Sequence, residues 1–337
     1  MKSKTTKLMV AFVALSLLMG LTQTVKAEVD PNFYIYLCIG QSNMAGGDVI
    51  IGIPEEEKSG IDARFRNMQT CSNGISPQIG EWRRAIPPLV RSNGSLTPAD
   101  YFGRTLVEEL PDSIRVGVVI VAVEGCSIQL FDKAQAASYV STAPDWMKSA
   151  IASYNTTLYK NKPYNSLIYY AKKAMKDGVI KGILLHQGET DAYSDTWLNT
   201  VQKVYNNILT DLKLNAADVP LIAGEVVDAE QGGQCAGANN TINRLPSKIK
   251  TAHVVSSKGC TDCGDDLHFS PQGYKLLGQR YAAKALEILE EQRLTSVSPV
   301  FTPTPARDII YNLNGERIDT PQPGINIING KKVLITE

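Results

Sequence analysis

The chain has 337 residues, enough for one large domain with a small appendage or for two modest domains, each burying a real core. Its 34 basic and 34 acidic residues cancel, and no Lys/Arg run follows the first few positions, which argues against a nucleic-acid surface and a polybasic membrane patch. Small neutral partners are favoured, and no cofactor is expected.

The first element reads as a leader. Lys2, Lys4 and Lys7 precede an apolar stretch from Leu8 to Leu21, broken by Ser16 and Gly20, and Val25-Lys26-Ala27 supplies a small-residue cleavage site. This is the pattern of a signal peptide over residues 1–27. The stretch is at the short end for crossing about 30 Å of hydrocarbon. An exported protein is expected, in the periplasm, at the cell surface or in the medium, with no membrane span after cleavage. Its six cysteines then meet an oxidising compartment. Cys38 and Cys126 lie in or beside expected strands and read as buried small hydrophobes. Cys235 is the candidate for a disulfide to Cys260 or Cys263. With three histidines and no second closely spaced cysteine pair, a metal site is not expected.

Continuous apolar runs then alternate with helical stretches. The runs are Tyr34 to Ile39, Val116 to Val123, Gly182 to Leu185, Val219 to Ala223 and a weaker His253 to Ser256. Such alternation predicts an α/β domain over 28–292, with a five-stranded parallel sheet covered on both faces. A long polar segment from Gly47 to Ser95 follows the first strand and is expected to form a wall of the cleft. Thr97-Pro98-Ala99-Asp100 predicts a helix start, with Thr97 as cap, proline at the first helical position and an acid in the first turn. Ser270-Pro271 opens another, with Tyr274, Leu277, Tyr281, Ala285 and Ile288 along one face. Residues 293–306, rich in Ser, Thr, Val and Pro, read as a linker. In 307–337, short apolar segments flank Asn314-Gly315 and Asn329-Gly330, the strongest local hairpin signal. This small β unit either docks on the main domain or serves as a sorting or attachment tail.

The candidate chemistry gathers at carboxyl ends of expected strands, where open parallel sheets place their ligand crevice. Ser42 follows the first strand directly. A serine hydroxyl needs an imidazole to take its proton and a carboxylate to orient that imidazole. His253 falls inside a strand and His186 ends one. His268 sits in the loop Asp265-Asp266-Leu267-His268-Phe269, three residues after Asp265, which can reach Nδ1 while Nε2 faces the serine. Asp266 is the fallback carboxylate. Oxyanion donors are sought in the Ser42 N–H, the Gly125 N–H after the second strand and the Gln187 side-chain amide after the third. Asn43, His186 and Glu189 are the candidates for contacting sugar hydroxyls; His186 and Glu189 could instead hold their loop by hydrogen bonds. Trp82, Trp146 and Trp197 either stack on sugar rings or pack in the core.

Gly-Gln-Ser-Asn-Met-Ala-Gly at 40–46, His-Gln-Gly-Glu at 186–189 and Asp-x-x-His-Phe at 265–269 together resemble the SGNH hydrolase superfamily. Within it they are most similar to the branch of sialate O-acetylesterase-like proteins and family-six acetylxylan esterases. The resemblance implies a three-layer α/β/α, flavodoxin-like fold and metal-free Ser-His-Asp deacetylation of sugars. Ser42 matches the nucleophile, His268 the base, Asp265 the acid, and Gly125 and Gln187 the oxyanion donors. Glu124-Gly125-Cys126 departs from the branch, which commonly has paired glycines and a threonine there. The expected function is a carbohydrate O-acetylesterase acting on an acetylated plant polysaccharide such as xylan or on O-acetylated sialic acid. The alternatives are an esterase or lipase for lipid or thioester acyl groups, and a non-catalytic glycan-binding surface protein.

Overall fold

The computed structural model describes residues 28–47, 52–71, 79–153, 162–296, 310–312, 317–329 and 331–336. The expected leader, most of the expected linker and the turn at Asn314-Gly315 lie outside these residues. After Glu290 the chain divides into two compact units.

The first unit is built on a seven-stranded sheet. Its strands are β1 (Phe33–Gly40), β2 (Phe65–Met68), β3 (Trp82–Arg84), β4 (Arg115–Ala122), β5 (Val179–His186), β6 (Leu221–Gly224) and β7 (Ala252–Val255), in the order β3-β2-β4-β1-β5-β6-β7. All neighbours run parallel except β2 and β3. β1, β4, β5, β6 and β7 coincide with the five expected apolar runs. The two further strands arise from the segment read as a polar loop, so the sheet is larger than expected and carries one antiparallel edge. Phe65-Arg66-Asn67-Met68 and Trp82-Arg83-Arg84 are too short and too polar to register as apolar runs. β2 is held instead by its ladder to β4, β3 by its ladder to β2, and polar side chains here donate to carbonyls inside the protein. The Asn67 amide donates to the Leu89 carbonyl at 2.8 Å and the Thr70 hydroxyl to the Ile120 carbonyl at 2.5 Å.

Side chains alternate across a strand, so residues of opposite parity on β1 report the two faces. Tyr36 packs edge-on against Phe102 of the Pro98–Glu109 helix, with ring centroids 4.7 Å apart. Ile39, on the other face, shares an apolar interior with Val201, Val204 and Ile208 of the Trp197–Leu212 helix. Helices therefore cover both faces. This is the three-layer α/β/α arrangement.

Both expected helix starts are present. Thr97 caps the Pro98–Glu109 helix by accepting from the Ala99 N–H at 3.0 Å, and Asp100 closes the capping box on the Thr97 N–H at 2.8 Å. Ser270 accepts from the Gly273 N–H at 3.1 Å at the start of the Pro271–Ser296 helix. Tyr274, Leu277, Tyr281, Ala285 and Ile288 are all buried along that helix. Among the described residues no helix is long and apolar enough to cross a membrane.

The second unit is a four-stranded antiparallel sheet in the order β11-β10-β8-β9, from β8 (Ile310–Tyr311), β9 (Arg317–Ile318), β10 (Gly324–Ile328) and β11 (Lys331–Ile335). β8 pairs with β9 and β10 with β11. Asn329, in the second connection, has a left-handed φ of 53°, which asparagine tolerates better than most residues. All six cysteines are free, so the disulfide considered for Cys235 is not formed. Its thiol donates instead to the Glu189 carbonyl at 3.5 Å. Cys38 and Cys126 are fully buried, and burial pushes both thiols up.

Candidate active site

β1 ends at Gly40, whose backbone lies against β5. A Cβ at Gly40 would come within 2.0 Å of the His186 carbonyl oxygen, so only glycine allows this approach. The chain then turns straight into the single-turn Ser42–Ala45 helix, closed when Gly46 and Gly47 donate to the Ser42 carbonyl at 3.0 and 2.7 Å. Ser42 is thereby fixed at the carboxyl edge of the sheet and is 6 % exposed.

The loop before the last long helix supplies its partners. His268 Nε2 lies 2.8 Å from Ser42 Oγ, and His268 Nδ1 lies 2.6 Å from Asp265 Oδ2. The other Asp265 oxygen accepts from the backbone N–H groups of Leu267 and His268 at 2.9 and 2.7 Å. Burial raises the Asp265 carboxyl, but these N–H bonds and the imidazole outweigh it and hold the group down at about 2. The adjacent Asp266, the fallback, has a left-handed φ of 58°, and its carboxylate lies beside Gly232 rather than on the imidazole.

A cleft of about 550 Å³ opens over this relay, lined among others by Ser42, Gly125, Glu189 and His268. Gly125 adopts φ 61° in the turn after β4, its carbonyl accepting from the Thr190 hydroxyl at 3.0 Å. Gln187 does not reach the cleft wall. Its amide nitrogen donates to Gln41 Oε1, the Cys126 carbonyl and Asp191 Oδ2 at 3.1, 3.2 and 2.6 Å, and its oxygen accepts from the Trp197 indole N–H. Both amide protons are thus engaged inside the protein, away from the cleft in which the oxyanion role expected of Gln187 would be played. Gln41 Oε1 also takes the Thr190 N–H at 3.3 Å, so Gln187 ties the turn before Ser42 to the loops after β4 and β5.

Asn43 and His186, expected as substrate contacts, are likewise fully buried and lie outside the cleft lining. Asn43 brackets the His268 loop. Its amide donates to Glu189 Oε1 at 2.6 Å and the Leu267 carbonyl at 3.1 Å, while its oxygen accepts from the Phe269 N–H at 3.2 Å and the Tyr274 hydroxyl at 2.8 Å. Leu267 and Phe269 flank His268, so one side chain beside Ser42 grips the backbone on both sides of that histidine. His186 sits with Nε2 3.6 Å from Glu189 Oε1 and Nδ1 3.4 Å from the Tyr281 hydroxyl. Burial raises the Glu189 carboxyl, but the His186 ring and Asn43 amide outweigh it and lower the group below its ordinary value. Glu189 alone of the three tentative substrate contacts borders the cleft.

The motifs do not point to a further pair on the wall, Arg91 with Glu124, which form a salt bridge. Arg91 comes from the segment read as a polar loop, where nothing in its spacing marks it. Of the three tryptophans, Trp197 is buried and bonded to Gln187, and Trp82 packs on Phe33 at 4.8 Å and donates to Asp177. Only Trp146 is exposed. Among the described residues no group of three or more His, Cys, Asp or Glu side chains could hold a metal ion.

Comparison with known proteins identifies the fold and the family. Among solved structures, a protein from Arabidopsis thaliana superposes with a TM-score of 0.57 at 20 % identity, covering 77 % of this chain and 99 % of its own. NanS gives 0.55 at 18 % identity, covering 78 % and 100 %, and a carbohydrate acetylesterase from Xanthomonas citri gives 0.53 at 15 %, covering 87 % and 62 %. Such distant likenesses establish a shared fold. The family model for carbohydrate esterase, sialic acid-specific acetylesterase, matches residues 32–287, nearly the whole first unit. The chain belongs to that carbohydrate esterase family and is an esterase.

Proposed function

We propose that the protein is a carbohydrate O-acetylesterase working through a Ser42–His268–Asp265 relay. The observation that carries this reading is the unbroken chain of short contacts, 2.8 Å from Ser42 Oγ to His268 Nε2 and 2.6 Å from Nδ1 to Asp265, opening into the cleft. Ser42 Oγ attacks the acetyl carbonyl while His268 Nε2 takes its proton. The carbonyl oxygen becomes an oxyanion beside the backbone N–H groups of Ser42 and Gly125, the two candidate donors on the wall. Collapse breaks the ester bond, and Nε2 returns the proton to the departing sugar oxygen. Water then gives a proton to His268 and attacks the acetyl-enzyme, and acetate leaves as Ser42 regains its hydrogen. Asp265 stays ionised and fixes the tautomer that keeps Nε2 free for the serine.

The leader pattern of residues 1–27 supports action outside the cytoplasm, which cell fractionation of the full-length protein tests. For the chemistry, Ser42→Ala is expected to reduce acetate release from an acetylated sugar by at least about a thousandfold. Retained activity in that variant would sink the mechanism.

A further inference from the structure

Trp146 is 58 % exposed, and a single exposed aromatic is ordinarily unremarkable. Its position makes it different. A Cβ on Gly125 would fall 2.7 Å from Trp146 Cη2 and 3.4 Å from Cζ3, so the benzo edge of the indole rests on the glycine that forms the cleft wall beside Ser42. The indole is held there by its neighbour. Met147 is buried, its sulfur accepting from the Tyr139 hydroxyl at 3.1 Å, and that hydroxyl accepts from the Ser127 N–H at 3.0 Å. The Asp145–Ser153 helix is thus pinned to the loop after β4, two residues beyond Gly125. An anchored indole with one edge against a cleft-lining glycine and most of its surface in water suits the apolar C–H face of a pyranose.

The charges around the cleft add a constraint. Arg91 is paired with Glu124 in a salt bridge, and Glu189 also lines the cleft. Among the described residues the lining's Arg91 and Glu124 offset one another, which leaves the Glu189 carboxylate and no unpaired Lys or Arg for a sugar carboxylate.

Building on the proposed function, we propose that Trp146 is a stacking platform for the sugar ring next to the acetylated one, and that the substrate is a neutral O-acetylated oligosaccharide or polysaccharide. The acetylated ring enters the cleft over Ser42. Its neighbour lies outside, on the indole.

The test is a length series of acetylated xylo-oligosaccharides beside a single-ring acetylated xyloside, an O-acetylated sialic acid and a small activated acetate ester. The wild type should gain about tenfold in kcat/KM from one ring to two or more, and turn over the sialic acid ester less well than the neutral oligosaccharides. Trp146→Ala should raise KM for oligosaccharides about tenfold more than for the single ring, and Trp146→Phe should restore most of the length dependence. No length dependence in the wild type, equal losses on all substrates in Trp146→Ala, or preference for the sialic acid ester would overturn the proposal. A second readout is independent of turnover and of that variant's folding. Unacetylated xylo-oligosaccharide added to the Ser42→Ala protein should quench tryptophan emission, and Ser42→Ala with Trp146→Phe should show no quench. An unaltered quench in the double variant, or none in the first protein, contradicts the platform. Hydrolysis of the small ester without acetate release from any carbohydrate would instead refute the parent function, leaving the quench to decide the subsite.

Discussion

Two histidine–carboxylate pairs sit near the carboxyl edge of the sheet, each separated by three residues in the chain: Asp265 with His268, and His186 with Glu189. In the first, the ring and carboxylate are 2.6 Å apart at a partly open site, the acid is fixed by two backbone N–H groups, and the far ring nitrogen is left for Ser42. In the second, the separation is 3.6 Å, both side chains are almost wholly buried, and the ring nitrogens face Glu189 and Tyr281. A base must keep one nitrogen for the substrate's chemistry, and only the first pair does so. The second is packed inside the protein. Gly224 makes room for it, since a Cβ there would lie 2.9 Å from His186 Nδ1 and 2.4 Å from the Tyr281 hydroxyl.

The sharpest way to break this division is to neutralise each carboxylate in turn. Asp265→Asn, which keeps the shape but favours the wrong tautomer, is expected to lower kcat by about 10³ to 10⁴ at unchanged folding. Glu189→Ala strips the buried His186 and Asn43 of a partner and is expected to destabilise the fold by about 3 kcal/mol, read by denaturant unfolding. Comparable losses of kcat in Asp265→Asn and the shape-preserving Glu189→Gln, with both folded, would erase the distinction between a working pair and a supporting one.

Asn43 joins the two pairs, bonding Glu189 on one side and both neighbours of His268 on the other. Asn43→Ala is expected to lower kcat by roughly ten- to a hundredfold with KM little changed, because the base loses its registration rather than its chemistry. A change confined to KM would return Asn43 to the role of substrate contact expected from its sequence position.

The sequence carried the sheet's centre and the relay far better than their support. Strands buried on both faces must be apolar throughout, so β1, β4 and β5 stand out as runs, and Ser42 and His268 lie in or beside elements whose ends are marked by glycine, serine and proline. β2 is specified by pairing with β4, β3 by pairing with β2, and both by internal acceptors for Asn67 and Thr70, which leave no periodic trace. The difference between a residue that faces the cleft and one buried behind it is also illegible in one dimension. Gln187 and Asn43 sit beside the right motifs, yet their amides are consumed inside the protein. Arg91 and Glu124 meet across 33 residues of chain with no spacing to announce them.

The smallest expected effect concerns acid. The Asp265 carboxyl is held at about 2 from an ordinary 3.8, so its contribution to stability is present above the unfolded value and is lost as pH falls through the folded one. The window is therefore pH 4 to 2. In Asp265→Asn that contribution is absent at every pH, so wild type and variant should differ most in Tm near neutrality and converge as the pH approaches 2. The carboxylate side chain is 38 % exposed, and water screens its interactions, so the convergence should amount to no more than about a few degrees. A gap that widens on acidification would mean that Asp265 is not the acid whose charge the loop's N–H groups are arranged to hold.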